Sequence, residues 1–144
     1  MDTQKTILKN KKVDIKIKLA ALWLVFILLY VYTDFYKLYM PEKIQAVMSG
    51  VIDGFEVTQM SLLLISIVTI IPACMIYFSL TLNSKTNRIL NIAMGIFHVI
   101  IGIVNIIGTT WYFYMFYGAL LIIVAILIVL NAWKWPIEHE NNSI

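Results

Sequence analysis

Asp34 is the only charged residue between Lys18 and Lys37, in a stretch otherwise dominated by apolar and aromatic side chains. A carboxylate at membrane depth is costly and by default marks a site, with a partner expected. The plainer alternative is that Asp34 lies shallow enough to meet water and pairs with Lys37, three residues on. Both readings are open. Tyr30, Tyr32, Tyr36 and Tyr39 surround it, and their default roles are interfacial anchoring and packing. A second pattern occupies residues 91–110, NIAMGIFHVIIGIVNIIGTT. There Asn91, Gly95, His98, Gly102, Asn105 and Thr109 recur at steps of 4, 3, 4, 3 and 4. These steps keep all six on one face of a helix. In lipid, small residues let backbones approach, and Asn or His can hydrogen-bond across an interface. The stripe is therefore first an inward packing face, and only secondarily the wall of a cavity.

Much chemistry is excluded. His98 has no second histidine within the apolar spans, since the other, His139, lies near the C-terminus. A bis-histidine haem or three-ligand metal site thus lacks its ligands, and a hydrogen-bonded core histidine is the default. Cys74 is the sole cysteine, so no intrachain disulfide or Cys-x-x-Cys pair can form. No phosphate-binding glycine loop, nucleophile elbow or His-Glu-x-x-His is present. No catalytic residue, metal or cofactor is expected, and any chemistry has to occur in or at the membrane. Pro72 should kink its helix, with Thr69 helping to satisfy the freed carbonyl.

The elements that must position these residues follow from composition. The chain is 61% hydrophobic and 13% charged over 144 residues, against about 45–50% and 25% in soluble domains. So much apolar surface requires lipid as solvent. Residues 57–84 carry no charge, and neither do residues 89–133. As one straight helix the latter would be roughly 67 Å long, about twice the hydrocarbon core. It must turn back, and Gly108–Tyr112 is the break. The reading is an all-α, integral membrane four-helix bundle over 17–134, with helices at about 17–38, 57–82, 88–108 and 112–134. A basic tail (1–16) precedes it and a short tail (135–144) follows. Nine Lys and Arg residues fall on the side of the termini and only Lys37 and Lys43 on the other. By the positive-inside rule both termini are cytoplasmic. In the first outer loop Ile44, Val47, Met48 and Val51 follow helical spacing after Pro41, which predicts a short amphipathic helix.

Depth then selects the candidate ligand-binding residues. Asp34 and Tyr30 end the first helix, Thr58 and Gln59 open the second, Asn105 and Thr109 end the third, and Trp111 and Tyr114 open the fourth. All lie in the outer third, above His98 near the midplane. The cytoplasmic half of the bundle face reads as plainer. The expectation is a polar pocket opening outward, floored by His98.

The segments 19–41, 57–80, 87–96 and 132–136 resemble a bacterial four-helix membrane family catalogued as domain of unknown function 6326. The most specific pieces are Trp23–Tyr30–Asp34, Val57-Thr58-Gln59, Ile71-Pro72-Ala73 and Asn87-Arg88. The resemblance implies a multi-pass protein of the bacterial cytoplasmic membrane and no activity, substrate or cofactor. Three classes of function remain. A binder of a small or lipid-like molecule is preferred; a non-catalytic interaction scaffold and a small intramembrane enzyme on a lipid-like substrate are the alternatives. The lipid bilayer is one partner, and a homo-oligomer or another membrane protein is compatible with the sequence. Nucleic acid is not expected, because the basic residues report membrane orientation.

Overall fold

The computed structural model describes residues 12–136. Most of the basic tail and residues 137–144, with His139, lie outside them. The described chain forms α1 (Ile15–Lys37), α2 (Lys43–Met48), β1 (Val51–Ile52), β2 (Phe55–Glu56), α3 (Gln59–Thr81), α4 (Ser84–Ile106) and α5 (Tyr112–Trp133). α1, α3, α4 and α5 are each long and apolar enough to cross a membrane.

Short polar residues set where these helices start. The Asp14 side chain accepts from the Lys16 amide at the head of α1. Thr58 and Ser61 form a reciprocal capping box on α3, which satisfies two otherwise orphaned amides. The Asn83 side chain accepts from the Thr86 amide, so α4 begins at Ser84, earlier than the apolar run alone suggests. Between α4 and α5 the chain reverses through Gly108, whose φ of +82° is the left-handed conformation that glycine adopts freely.

The four helices form an up-and-down bundle. α1 packs along α3 and α5, α4 packs along α5, and α3 meets α4 far more sparsely. Two contacts define one end of the bundle. Lys16 Nζ donates to the Leu82 carbonyl (2.7 Å), and Arg88 Nη2 donates to the Trp133 carbonyl (3.3 Å). This terminal end holds the start of α1, the α3–α4 turn and the end of α5. The opposite, loop end carries α2, the β1–β2 hairpin and the α4–α5 turn. The core runs along the axis, with Leu19, Trp23 and Phe26 of α1, Met75 of α3, and Leu121, Val124, Ala125, Ile128 and Ala132 of α5.

The stripe on α4 is an interface. Asn91, Gly95, His98 and Gly102 are buried, whereas Asn105 is exposed and Thr109 half-buried. A Cβ on Gly95 would lie 2.6 Å from the Val129 side chain, and one on Gly102 2.7 Å from Ile122. Both neighbours belong to α5, which identifies the helix that approaches the stripe.

Two expectations are corrected. The terminal half of the bundle is not plain. Asn91 Oδ1 accepts from Trp23 Nε1 (2.7 Å) and from Ser79 Oγ (3.3 Å), and Asn91 Nδ2 donates to Asn87 Oδ1 (2.6 Å). Asn87 Nδ2 in turn donates to the Ser79 carbonyl (2.7 Å), and all four residues are fully buried. The network joins α1, α3 and α4. It is invisible in any single helix because Ser79 and Trp23 look like ordinary members of their own apolar runs. At Pro72, Thr69 Oγ1 donates to the Ser66 carbonyl (3.2 Å) and not to that of Val68, the carbonyl that the missing Pro72 amide frees.

Candidate functional site

At the loop end the four helices part around a cavity of about 460 Å³. Its wall combines Tyr30, Thr33, Asp34 and Lys37 of α1, Ile65 of α3, Gly102, Asn105 and Ile106 of α4, and Tyr114, Gly118 and Leu121 of α5. The loop between α1 and α3 completes it through Lys43, Val47, Val51, Ile52, Asp53 and Phe55. The volume lies within the roughly 300–1,000 Å³ typical of small-molecule sites.

The loop is ordered by a tight hairpin. Val51 faces Glu56 and Ile52 faces Phe55 across the two strands. Asp53 and Gly54 make the turn at φ values of 50° and 85°. A two-residue turn with both φ angles positive matches the right-handed strand twist, and Asp-Gly suits it. The turn brings Asp53 to α1. Asp53 Oδ2 accepts from Lys37 Nζ at 2.6 Å, and Oδ1 accepts from Lys43 Nζ at 2.7 Å. Partial burial alone would push the Asp53 carboxyl up, but the two hydrogen-bonded ammonium groups outweigh it and hold the carboxyl below its ordinary value. Lys37 Nζ also stands 5.2 Å from the centroid of the Tyr114 ring, a cation–π distance.

This cluster redirects the expected ion pair. Lys37 is bonded to Asp53 and not to Asp34. Asp34 lines the cavity with neither an ion pair nor a hydrogen bond among the described residues. Of the candidate ligand-binding residues, Tyr30, Asp34, Asn105 and Tyr114 meet in the cavity wall.

The others stand elsewhere. His98 is buried below, its ring edge-on to Trp23, Phe26 and Phe97 at centroid distances of 5.5, 4.9 and 5.3 Å. Its Nδ1 donates to the Met94 carbonyl (2.8 Å), the back-bond of a packed helix residue. Thr58 is a helix cap, and Gln59 is exposed at the first turn of α3. Thr109 lies in the α4–α5 turn, where its amide donates to the Ile106 carbonyl (3.2 Å). Trp111 lines a separate aromatic cleft of about 360 Å³ with Tyr36, Tyr39, Met40, Phe113 and Tyr117. In the sequence Lys43 reads only as an orientation charge and Asp53 carries no assignment, although Asp53-Gly54 between Val51-Ile52 and Phe55-Glu56 is a hairpin signal. Among the described residues, no group of His, Cys, Asp and Glu is arranged to hold a metal ion.

Four long apolar helices around a cavity walled by aromatic, amide and charged groups define an all-α bundle compatible with a membrane. The chain belongs to the Family of unknown function (DUF6326), which it matches over residues 7–142. Neither the proteins of curated function nor the solved structures include a significant match to it.

Proposed function

We propose that this is a multi-pass membrane protein with both termini in the cytoplasm, which binds a small or lipid-like molecule carrying a positive charge in the cavity at its outer end. The bias of Lys and Arg toward the terminal end supports the orientation. One observation carries the binding role. Asp34 lies in the cavity wall beside Tyr30, while the lysine nearest in sequence is committed to Asp53. A carboxylate without a protein partner, in a cavity with aromatic walls, matches an organic cation by charge and by ring quadrupole.

The test uses tetraphenylphosphonium, a compact lipophilic cation, with the protein in lipid nanodiscs and empty nanodiscs as blank. Wild type should bind it saturably. Asp34→Asn keeps the shape of the side chain and should keep the melting temperature. Asp34 is exposed in the structure, so losing its half of a charge pair should cost about 1 kcal/mol, and binding should weaken by roughly 5-fold. Equal affinity in the two proteins would end the case for Asp34 as a counter-charge.

A further inference from the structure

The cavity wall holds four charges, and they divide unequally. Lys37 and Lys43 share the single carboxylate of Asp53, one on each oxygen. That cluster keeps one net positive charge, and each ammonium spends one of its three donors on Asp53. Asp34 supplies one negative charge from the same wall that is in no ion pair among the described residues. The four charges of the cavity wall thus sum to zero, and the wall offers both a carboxylate acceptor at Asp34 and ammonium donors at the two lysines. A simple cation answers only the first.

The wall also has an apolar part. Beside the charged and polar groups it includes the apolar residues Ile106, Gly118, Leu121 and the α3 side chain Ile65. α3 leaves this region open. Its buried residues are Pro72, Met75 and Ser79, all in the half toward the terminal end, and none of residues 59–71 is buried. α3 and α4 meet sparsely, so at this end the apolar part of the wall is least covered between these two helices. Charges of both signs beside a sparsely covered apolar wall suit an amphiphile.

We propose, building on the binding role above, that the cavity takes a zwitterionic head made of an ammonium and a phosphate, with its apolar chain leaving between α3 and α4. The ammonium faces Asp34 and the phosphate faces Lys37 and Lys43. The chain makes a lipid the source of this head, in preference to a soluble zwitterion of the same chemistry.

Native mass spectrometry of the detergent-solubilised full chain compares four probes. Lysophosphatidylethanolamine carries both charges. Lysophosphatidylglycerol of the same chain carries only the phosphate, dodecyltrimethylammonium only the cation, and glycerophosphoethanolamine the head without a chain. The ethanolamine lysolipid should bind tightest, roughly tenfold or more above each of the others, since charge-assisted hydrogen bonds are the strong ones. Asp34→Asn should reduce it to the glycerol lysolipid's affinity. Lys43→Met should reduce it to that of the cationic amphiphile. Melting temperatures of both variants within a few degrees of wild type show that the fold is kept, and Ile100→Leu, on an exposed face of α4, should leave every affinity unchanged.

If dodecyltrimethylammonium binds as tightly as the ethanolamine lysolipid and depends equally on Asp34, the phosphate half is overturned while the cation-binding role stands. If the chainless head binds as tightly as the lysolipid, the lateral chain seat is overturned. If no probe, tetraphenylphosphonium included, depends on Asp34, both proposals fall.

Discussion

Asn91 is the centre of the buried polar network that joins α1, α3 and α4. It accepts from Trp23 and Ser79 and donates to Asn87, with all four fully buried. Water cannot replace these bonds at such depth, so the cost of losing one partner is set by the groups left behind. Asn91→Leu orphans the Trp23 indole N–H and an Asn87 oxygen together, and should cost about 1–3 kcal/mol. Trp23→Phe removes one donor, but leaves Asn91 with Ser79 and Asn87 and opens space in the core. A double-mutant cycle on thermal melting in detergent measures the Trp23–Asn91 coupling, expected at about 0.6–1.7 kcal/mol as for other hydrogen bonds between membrane helices. Additive losses would show that the 2.7 Å contact contributes nothing of its own. The stripe containing Asn91 was legible because a helix repeats its face every three to four residues. Its partners were not, since nothing in a linear pattern distinguishes Ser79, fully buried, from the exposed Ser66 on the same helix. Likewise Asp34 could be flagged by its charge alone, but its lack of a partner depends on where a loop carries Asp53.

At the level of elements, the segment between α1 and α3 is held over the cavity by few ties. None of the residues of α2 is buried, and the hairpin has only two residues in each strand. An isolated hairpin of that size is marginal in water. The Asp53 carboxylate therefore acts as the latch, joining the turn to Lys37 on α1 and Lys43 on α2. Asp53→Asn should speed amide hydrogen exchange across residues 43–57 at neutral pH and leave α3 and α5 unchanged. Because the folded-state carboxyl sits below its ordinary value, near 4, the latch is fully present above that range. It is lost as the pH falls through the lowered value. Exchange corrected for intrinsic rates should rise at that point in wild type, and the step should be missing in Asp53→Asn. A step that persists in the variant would assign it to another cavity group such as Asp34. The bundle helices depend on a different device. Gly95→Leu would drive a side chain into Val129, which a bare Cβ already approaches to 2.6 Å, and overpacking of this kind costs about 1–3 kcal/mol. Ile100→Leu alters a residue that is 57% exposed, and should stay within about 0.5 kcal/mol of wild type. Equal melting temperatures for the two variants would mean that α4 does not meet α5 through its glycines.

For the whole molecule, the two ends of the bundle differ in how their charges are held. The terminal end has Lys16, Lys18, Lys85, Arg88 and Lys134 among the described residues, with Lys12 just before α1. The loop end has Lys37 and Lys43, both bonded to Asp53. Among the described residues no basic side chain of the terminal end is in an ion pair, whereas the lysines of the loop end are tied into the cavity wall; in the proposed orientation the basic end is the cytoplasmic one. Aromatic residues mark the same axis, with Trp133 and Trp135 at the terminal end and Trp111, Tyr112 and Phe116 at the loop end. Two single cysteines test the orientation in a Cys74→Ser background, where no native thiol remains. Thr86→Cys lies in the first turn of α4 at the terminal end, and Ser49→Cys lies just after α2 at the loop end; both positions are exposed. In intact cells an impermeant maleimide should label the cysteine at position 49 and spare the one at position 86, and permeabilisation should make both reactive. Labelling at position 86 before permeabilisation would invert the molecule. The cavity would then face the cytoplasm, and the proposed amphiphile would have to come from the inner leaflet.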